Sequence, residues 1–261
     1  MLNAIKIKKV LFTSSLIGLV SMSQFVQAEE WEFTTGLGVY SANEAWKGTD
    51  AKQGIAPILS ATYGNWSIGE DSIVSYSLLN EDDFGLSVGV NYRNDAYDDD
   101  KFLGSKKSTD AVFKGYESPD GDVTFKVDGY WEFVNLTLEQ DVSGKSKGLT
   151  ADLGIEVPIF NIGNDFTVQA SATMHWQSSD YANHIYGVST KQVDNSVGRT
   201  AYTVGSVTNY SVGLSAFYQL DKNWSLIAAV EYTKLDDAIA DSPLIGDDKI
   251  TGAFVGASYS F

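Results

Sequence analysis

From Thr251 to the terminal Phe261 the chain alternates two kinds of side chain. Ala253, Val255, Ala257, Tyr259 and Phe261 fall on one face, and Gly252, Gly256, Ser258 and Ser260 on the other. Successive strand residues point to opposite sides of a sheet, so the segment predicts a strand with one apolar face and one small, polar face. Phe254 is the exception, a bulky ring on the polar face. Such a strand fits the wall of a transmembrane barrel, where lipid touches one face and a hydrated interior the other.

The pattern recurs upstream. Between Phe84 and Arg93 the row Phe84, Leu86, Val88, Val90, Tyr92 alternates with Gly85, Ser87, Gly89, Asn91, Arg93. Phe166 to Trp176, Tyr210 to Tyr218, Trp224 to Tyr232 and Leu149 to Val157 repeat it, mostly with aromatics at the ends, as expected at two water–lipid interfaces. A mean hydropathy of −0.12 with 13% aromatic residues is too polar for a bundle of membrane helices, yet suits strands that expose only alternate residues to lipid. A secreted β-sandwich shares the alternation, but segments of about 10 residues match a tilted membrane crossing better than the usual five or six of a sandwich strand.

The connections sort into two sets. Short turns are expected at Gly64-Asn65, Asn80 to Asp83, around Gly129-Tyr130, Asn161 to Asp165 and Asp221 to Asn223. Longer polar links run from Ser41 to Gly54, Asn94 to Asp122, Ser143 to Gly148, Gln177 to Gly205 and Asp236 to Lys249. Short and long connections alternate in barrels of this class, with both termini in the periplasm, so the strand count must be even. Reading Trp66 to Leu79 as one segment leaves an odd count. Dividing it at Glu70-Asp71-Ser72 into Trp66 to Gly69 and Ile73 to Leu79 gives an all-β, antiparallel up-and-down barrel of about 12 strands, with 10 as the alternative.

The first residues agree with export. Lys6, Lys8 and Lys9 precede an apolar stretch from Val10 to Val20 and the cleavage-type ending Val26-Gln27-Ala28, so residues 1–28 read as a cleaved signal peptide and 29–261 as the barrel. The absence of cysteine excludes disulfides, thiolate metal sites, cysteine nucleophiles and a lipoprotein anchor. A net charge of −16, more negative once the three leader lysines are removed, argues against nucleic acid as a partner. Against lipopolysaccharide, an acidic surface needs divalent cations or local basic residues.

Candidate chemistry is sparse. Of the two histidines, His175 falls on an inward row near the outer end of its strand, and His184 lies in the link Gln177 to Gly205 with Asp180 as the nearest carboxylate. Four residues apart in a link do not make a catalytic pair, so the expectation is no enzyme, with no catalytic, cofactor or metal residues. Asp95 with Asp98-Asp99-Asp100, and Glu81-Asp82-Asp83, lack the spaced oxygen ligands of calcium loops and read as hydrated faces. Inward rows carry Arg93, Lys126, Asp128, Asp152, Glu156 and Glu231, which either pair across the interior or line a pore. The link Gln177 to Gly205 is long enough to fold inward as a constriction, or to present Tyr181, Tyr186 and Tyr202 as an outer contact surface.

Several runs resemble one family. Ser178-Ser179-Asp180-Tyr181, Tyr186-Gly187-Val188-Ser189, Asn223-Trp224-Ser225, Tyr232-Thr233-Lys234-Leu235, Ala240-Asp241-Ser242-Pro243 and Tyr259-Ser260-Phe261 look like the C-terminal half of the MltA-interacting protein (MipA)/OmpV family. Trp46-Lys47-Gly48-Thr49-Asp50, Ala56-Pro57 and Gln140-Asp141-Val142-Ser143-Gly144 extend the likeness upstream, while Lys101 to Asp122 departs from it. The resemblance implies an outer-membrane barrel without enzymatic activity, acting as a scaffold between a murein transglycosylase and a murein synthase. A passive channel for small solutes and a surface adhesin are the alternatives.

Overall fold

Hydrogen bonding between neighbouring strands accounts for most of the chain. The computed structural model describes residues 30–69, 72–97 and 108–261, so the leader, Glu70, Asp71 and the acid run Asp98 to Asp100 lie outside the described residues. The strands are β1 (Glu32–Ala42), β2 (Lys52–Tyr63), β3 (Trp66–Ile68), β4 (Val74–Asn80), β5 (Phe84–Arg93), β6 (Asp122–Trp131), β7 (Val134–Asp141), β8 (Leu149–Ile162), β9 (Phe166–Gln177), β10 (Val207–Gln219), β11 (Trp224–Lys234) and β12 (Lys249–Ser260). Each pairs antiparallel with its sequence neighbours, and β1 pairs with β12 to close a barrel of 12 strands. The terminal residue joins that seam: Phe33 and Phe261 exchange backbone bonds of 3.2 and 3.0 Å.

The division of Trp66 to Leu79 is present as the hairpin β3–β4, which removes the 10-strand alternative. One turn lies elsewhere than expected. Gly129 and Tyr130 are inside β6, paired with Leu86 and Gly85, and the chain reverses at Glu132 and Phe133. Tight hairpins use positive φ, usually supplied by Gly, Asn or Asp; here Glu132 adopts φ 51°. The glycine signal marked a strand position, and the turn carried none. Gly85, opposite Tyr130, leaves room for that ring, since a Cβ there would meet it at 2.2 Å.

The outward rows are the lipid face, with Leu37 and Val255 among the most exposed residues. At the short-turn end, rings follow one another around the seam: Tyr63 on Trp31 at 5.2 Å, Trp31 on Phe33 at 5.9 Å, Phe33 on Phe261 at 6.0 Å and Tyr259 on Trp224 at 5.2 Å. Phe254, the exception in the terminal strand, points inward and packs with Tyr40, Ala56 and Ala229. Its ring lies across Gly38, where an added Cβ would approach within 2.2 Å.

Gly38→Val therefore should destabilise the barrel by about 1–3 kcal/mol through overpacking. Urea unfolding in lipid vesicles should show Phe254→Ala recovering part of that loss in the double variant. If the two effects simply add, the packing account fails.

Candidate functional site

The long links build a second, different core across one mouth of the barrel. Ala45 and Trp46 come from the β1–β2 link, Ala96, Tyr97 and Val112 from β5–β6, Tyr181 to Val204 from β9–β10, and Ile239, Leu244 and Ile245 from β11–β12. At its centre is the helix α1 (Ser179–Tyr186), started by Ser178, whose Oγ accepts the Tyr181 N–H, and ended at Gly187. Its buried residues Tyr181, Ala182, Ile185 and Tyr186 recur at helical spacing, so a single face is committed to the core. Trp46 stacks on Tyr186 at 5.7 Å and Tyr97 on Phe113 at 3.9 Å. This cap is a core of soluble-protein type standing on a membrane wall.

Cations fasten it. Arg199, 4% exposed, donates from Nε to the Gln192 carbonyl at 2.6 Å and from Nη1 to the Lys114 carbonyl at 3.1 Å and the Val112 carbonyl. It binds the β9–β10 link to the β5–β6 link through carbonyls. Its guanidinium also sits 5.7 Å from the Tyr116 ring, whose hydroxyl burial pushes up to about 12.

Beneath α1 lies Arg93, under the Tyr181 ring at 3.8 Å. Its Nη2 meets Asp122 Oδ2 at 3.0 Å in an ion pair that is almost fully buried, and Nη1 donates to Thr150 Oγ1 at 2.7 Å. Asp122 also accepts from the Ser146 hydroxyl at 2.5 Å, and Glu139 accepts from Thr124 at 2.9 Å and Asn91 at 3.3 Å. Farther along the lumen Lys126 pairs with Asp128 at 3.1 Å. Arg93 and Asp152 thus serve cross-strand pairing, one of the two roles open to the inward charges, whereas Lys126 and Asp128 pair along β6 and Asp128 reaches β7 by accepting from the Thr137 hydroxyl at 2.7 Å.

The structure brings together a set that spacing did not indicate. Asp152 Oδ1 lies 2.9 Å from His175 Nδ1, and His175 Nε2 lies 2.8 Å from Ser211 Oγ. The atoms follow the order used by serine hydrolases. Acyl transfer also needs free donors at the developing oxyanion, and the backbone N–H groups around Ser211 belong to the β9–β10–β11 ladders. His184 goes elsewhere, to the Asp120 carbonyl at 2.9 Å, and Asp180 is exposed. Among the described residues no group of three or more His, Asp or Glu is placed to hold a metal ion. Beside His184 a cleft of about 260 Å³, lined by Pro119, Asn183, Gln192 and Tyr202 among others, opens on the outside of the cap.

Asp95 and Tyr181 were missed as a pair because they are remote in sequence. The Tyr181 hydroxyl donates to Asp95 Oδ2 at 2.5 Å. Asp95 keeps part of its surface near solvent while its carboxylate sits deep, and desolvation raises its pKa against the Tyr181 hydrogen bond and the Arg93 charge, which lower it. A carboxyl held above its unfolded pKa contributes stability in full below the unfolded value, and loses it as pH rises through the folded one. Asp95→Asn keeps an acceptor for Tyr181 without the buried charge. It should therefore unfold at higher urea concentration than the parent at pH 7, and the gain should disappear below about pH 4, near the ordinary Asp pKa. A gain equal at both pH values would contradict this.

Known proteins resemble the chain over most of its length. An MltA-interacting protein of Escherichia coli K12 is 27% identical over 93% of this chain and 96% of its own. Outer membrane protein OmpV of Vibrio cholerae is 25% identical over 90% and 88%. Among solved structures, an outer membrane channel of Pseudomonas putida covers 88% of this chain and 95% of its own with 9% identity and a TM-score of 0.42. A family model described as MltA-interacting protein MipA matches residues 35–261, and the chain, an outer-membrane β-barrel, belongs to that family.

Proposed function

We propose that this barrel is a non-enzymatic recruitment protein of the outer membrane, exported by a leader cleaved after Ala28 and binding a murein transglycosylase, with a murein synthase as a second partner. The family match over residues 35–261 carries the reading. The lumen and cap fit it, because Arg93, Lys126, Asp128 and Asp152 are held by neighbours within the wall and four of the long links pack into a core over one mouth. In this orientation both termini and the short turns face the periplasm, and lipopolysaccharide surrounds the cap. The Asp152–His175–Ser211 set then ties three strands together and performs no reaction.

The periplasmic rim supplies the contact. Glu81, Asp82, Asp83, Glu132, Asp165 and Asp221 stand in or beside the turns, and all are exposed. A basic face on the partner would be steered to such a rim and weakened by salt.

Immobilised protein should retain a purified murein transglycosylase at low salt. Replacing Glu81, Asp82 and Asp83 by Gln, Asn and Asn should weaken that binding about tenfold and flatten its salt dependence. Failure of the unaltered barrel to retain the enzyme would sink the proposal.

The channel alternative gives an opposite result in a planar bilayer. The intact barrel should be electrically silent, and replacing residues 178–205 by a short Gly-Ser turn should produce discrete steps. Steps from the intact protein would favour a pore.

A further inference from the structure

The cleft on the outside of the cap, beside His184, is built from two links locked together. Val188 and Tyr202 exchange backbone bonds of 2.8 and 3.1 Å, which folds the β9–β10 link back on itself. Gln192 Nε2 donates to the Glu117 carbonyl at 3.1 Å and His184 Nε2 to the Asp120 carbonyl at 2.9 Å, so the β5–β6 link is held against it and Pro119 joins the lining. The Tyr202 hydroxyl donates to the Ala238 carbonyl at 2.8 Å and fixes its ring. Gly187 ends α1 where a Cβ would lie 2.4 Å from the Asn183 carbonyl oxygen and 2.5 Å from its Oδ1, so a side chain there would displace Asn183. Walls already fixed in this way lose little freedom when a guest arrives.

The fold uses some of the polar groups at the cleft and leaves others. A carbonyl can only accept, so His184 Nε2 carries the proton toward Asp120, and in the neutral ring Nδ1 remains an acceptor. Asn183 Oδ1 takes the Val204 N–H at 3.1 Å, which leaves the amide nitrogen of Asn183 as a donor. Among the described residues neither Nδ1 of His184 nor Nδ2 of Asn183 has a partner. These two residues follow one another on α1 and line the same cleft, with the Thr203 hydroxyl, able to donate and accept, beside them. A donor and an acceptor in one cleft match two vicinal hydroxyls, of which one accepts and the other donates.

Charge and size narrow the occupant. The lining includes no Lys, Arg, Asp or Glu, and Asp120 next to it is already paired with Lys145 at 2.6 Å. An anion would find no cation there, and a metal ion no carboxylate. An apolar guest would strip water from an amide, an imidazole and a hydroxyl without replacing its hydrogen bonds. The volume of about 260 Å³ is below the roughly 300–1,000 Å³ of sites for drug-sized ligands, so it suits one small unit. We propose that this cleft binds a single neutral sugar unit, with two vicinal hydroxyls held by Asn183 Nδ2 and His184 Nδ1 and the Tyr202 ring alongside. Such a unit can come from lipopolysaccharide of the same membrane or from a foreign glycan. The site is independent of the recruitment role, since it lies on the cap and not among the short turns.

Full-length mature barrel in phosphatidylethanolamine–phosphatidylglycerol nanodiscs is titrated with the methyl glycosides of glucose, galactose, mannose and N-acetylglucosamine, and binding is read by saturation-transfer NMR. At least one glycoside should bind. Asn183→Asp keeps the acceptor for Val204 and removes only the donor, so it should weaken binding about tenfold, the effect of one lost hydrogen bond. His184→Phe should weaken it at least as much. The heat-dependent shift in electrophoretic mobility verifies that each variant is folded, and Asn183→Asp decides alone if His184→Phe does not assemble. Adding lipopolysaccharide with its core sugars, compared with lipid A, separates the sources: displacement by the first alone identifies the membrane's own saccharide, and displacement by neither identifies a foreign glycan. Absence of transfer to all four glycosides would overturn the proposal. Equal binding by the parent and Asn183→Asp would also overturn it, by placing the sugar elsewhere on the barrel.

Discussion

Everything in this molecule depends on closing a sheet where water is absent. In hydrocarbon an unpaired peptide group costs several kcal/mol, so the first and last strands must find each other. They do so over Thr34↔Ser260 to Ala42↔Gly252, with Phe261 bonded back to Phe33. Once β1 and β12 meet, the side-chain period of two assigns every residue to lipid or lumen, and the packing inside follows from that assignment. Phe254 shows the consequence. It falls on the inward row, so Gly38 and Gly256 must lack side chains beneath its ring.

Closure leaves the two ends with different problems. The turn end has little chain to spare and meets the interface with a belt of stacked aromatics, which favours the water–lipid boundary without needing a core. The loop end has long links whose backbone must be satisfied in water, and it resolves this as a soluble domain does, with a capped helix and a buried aromatic cluster. Arg93 joins the wall to the cap, a strand residue that binds Asp122 directly across on β6 and lies against Tyr181 above.

The barrel was legible because its rule is local. Phe84 to Arg93 is β5 to the residue, and parity alone divided Trp66 to Leu79 into β3 and β4. The turn at Glu132 was not, since its positive φ is held by pairing on both sides and not by a turn-forming residue. The cap was less legible still: Tyr181 meets Asp95 and Trp46 meets Tyr186 across links with no period to read. Asp152, His175 and Ser211 occupy a middle position. Alternation placed His175 and Asp152 inward, but only the register Asp152↔His175 makes them neighbours, and register is set by the whole sheet.

An even strand count did not require equal strands. β3 completes the hairpin alternation with three residues, and so preserves parity while pairing with β2 only at Ala61, Thr62 and Tyr63 among the described residues. A long edge of this kind would ordinarily recruit another strand. Pro57 withdraws the donor at mid-edge, and the outward residues beside it, Ile55 and Leu59, are those a bilayer accepts. The same wall carries an apolar cluster on the inside, where Tyr40, Ala56 and Ala229 pack with Phe254.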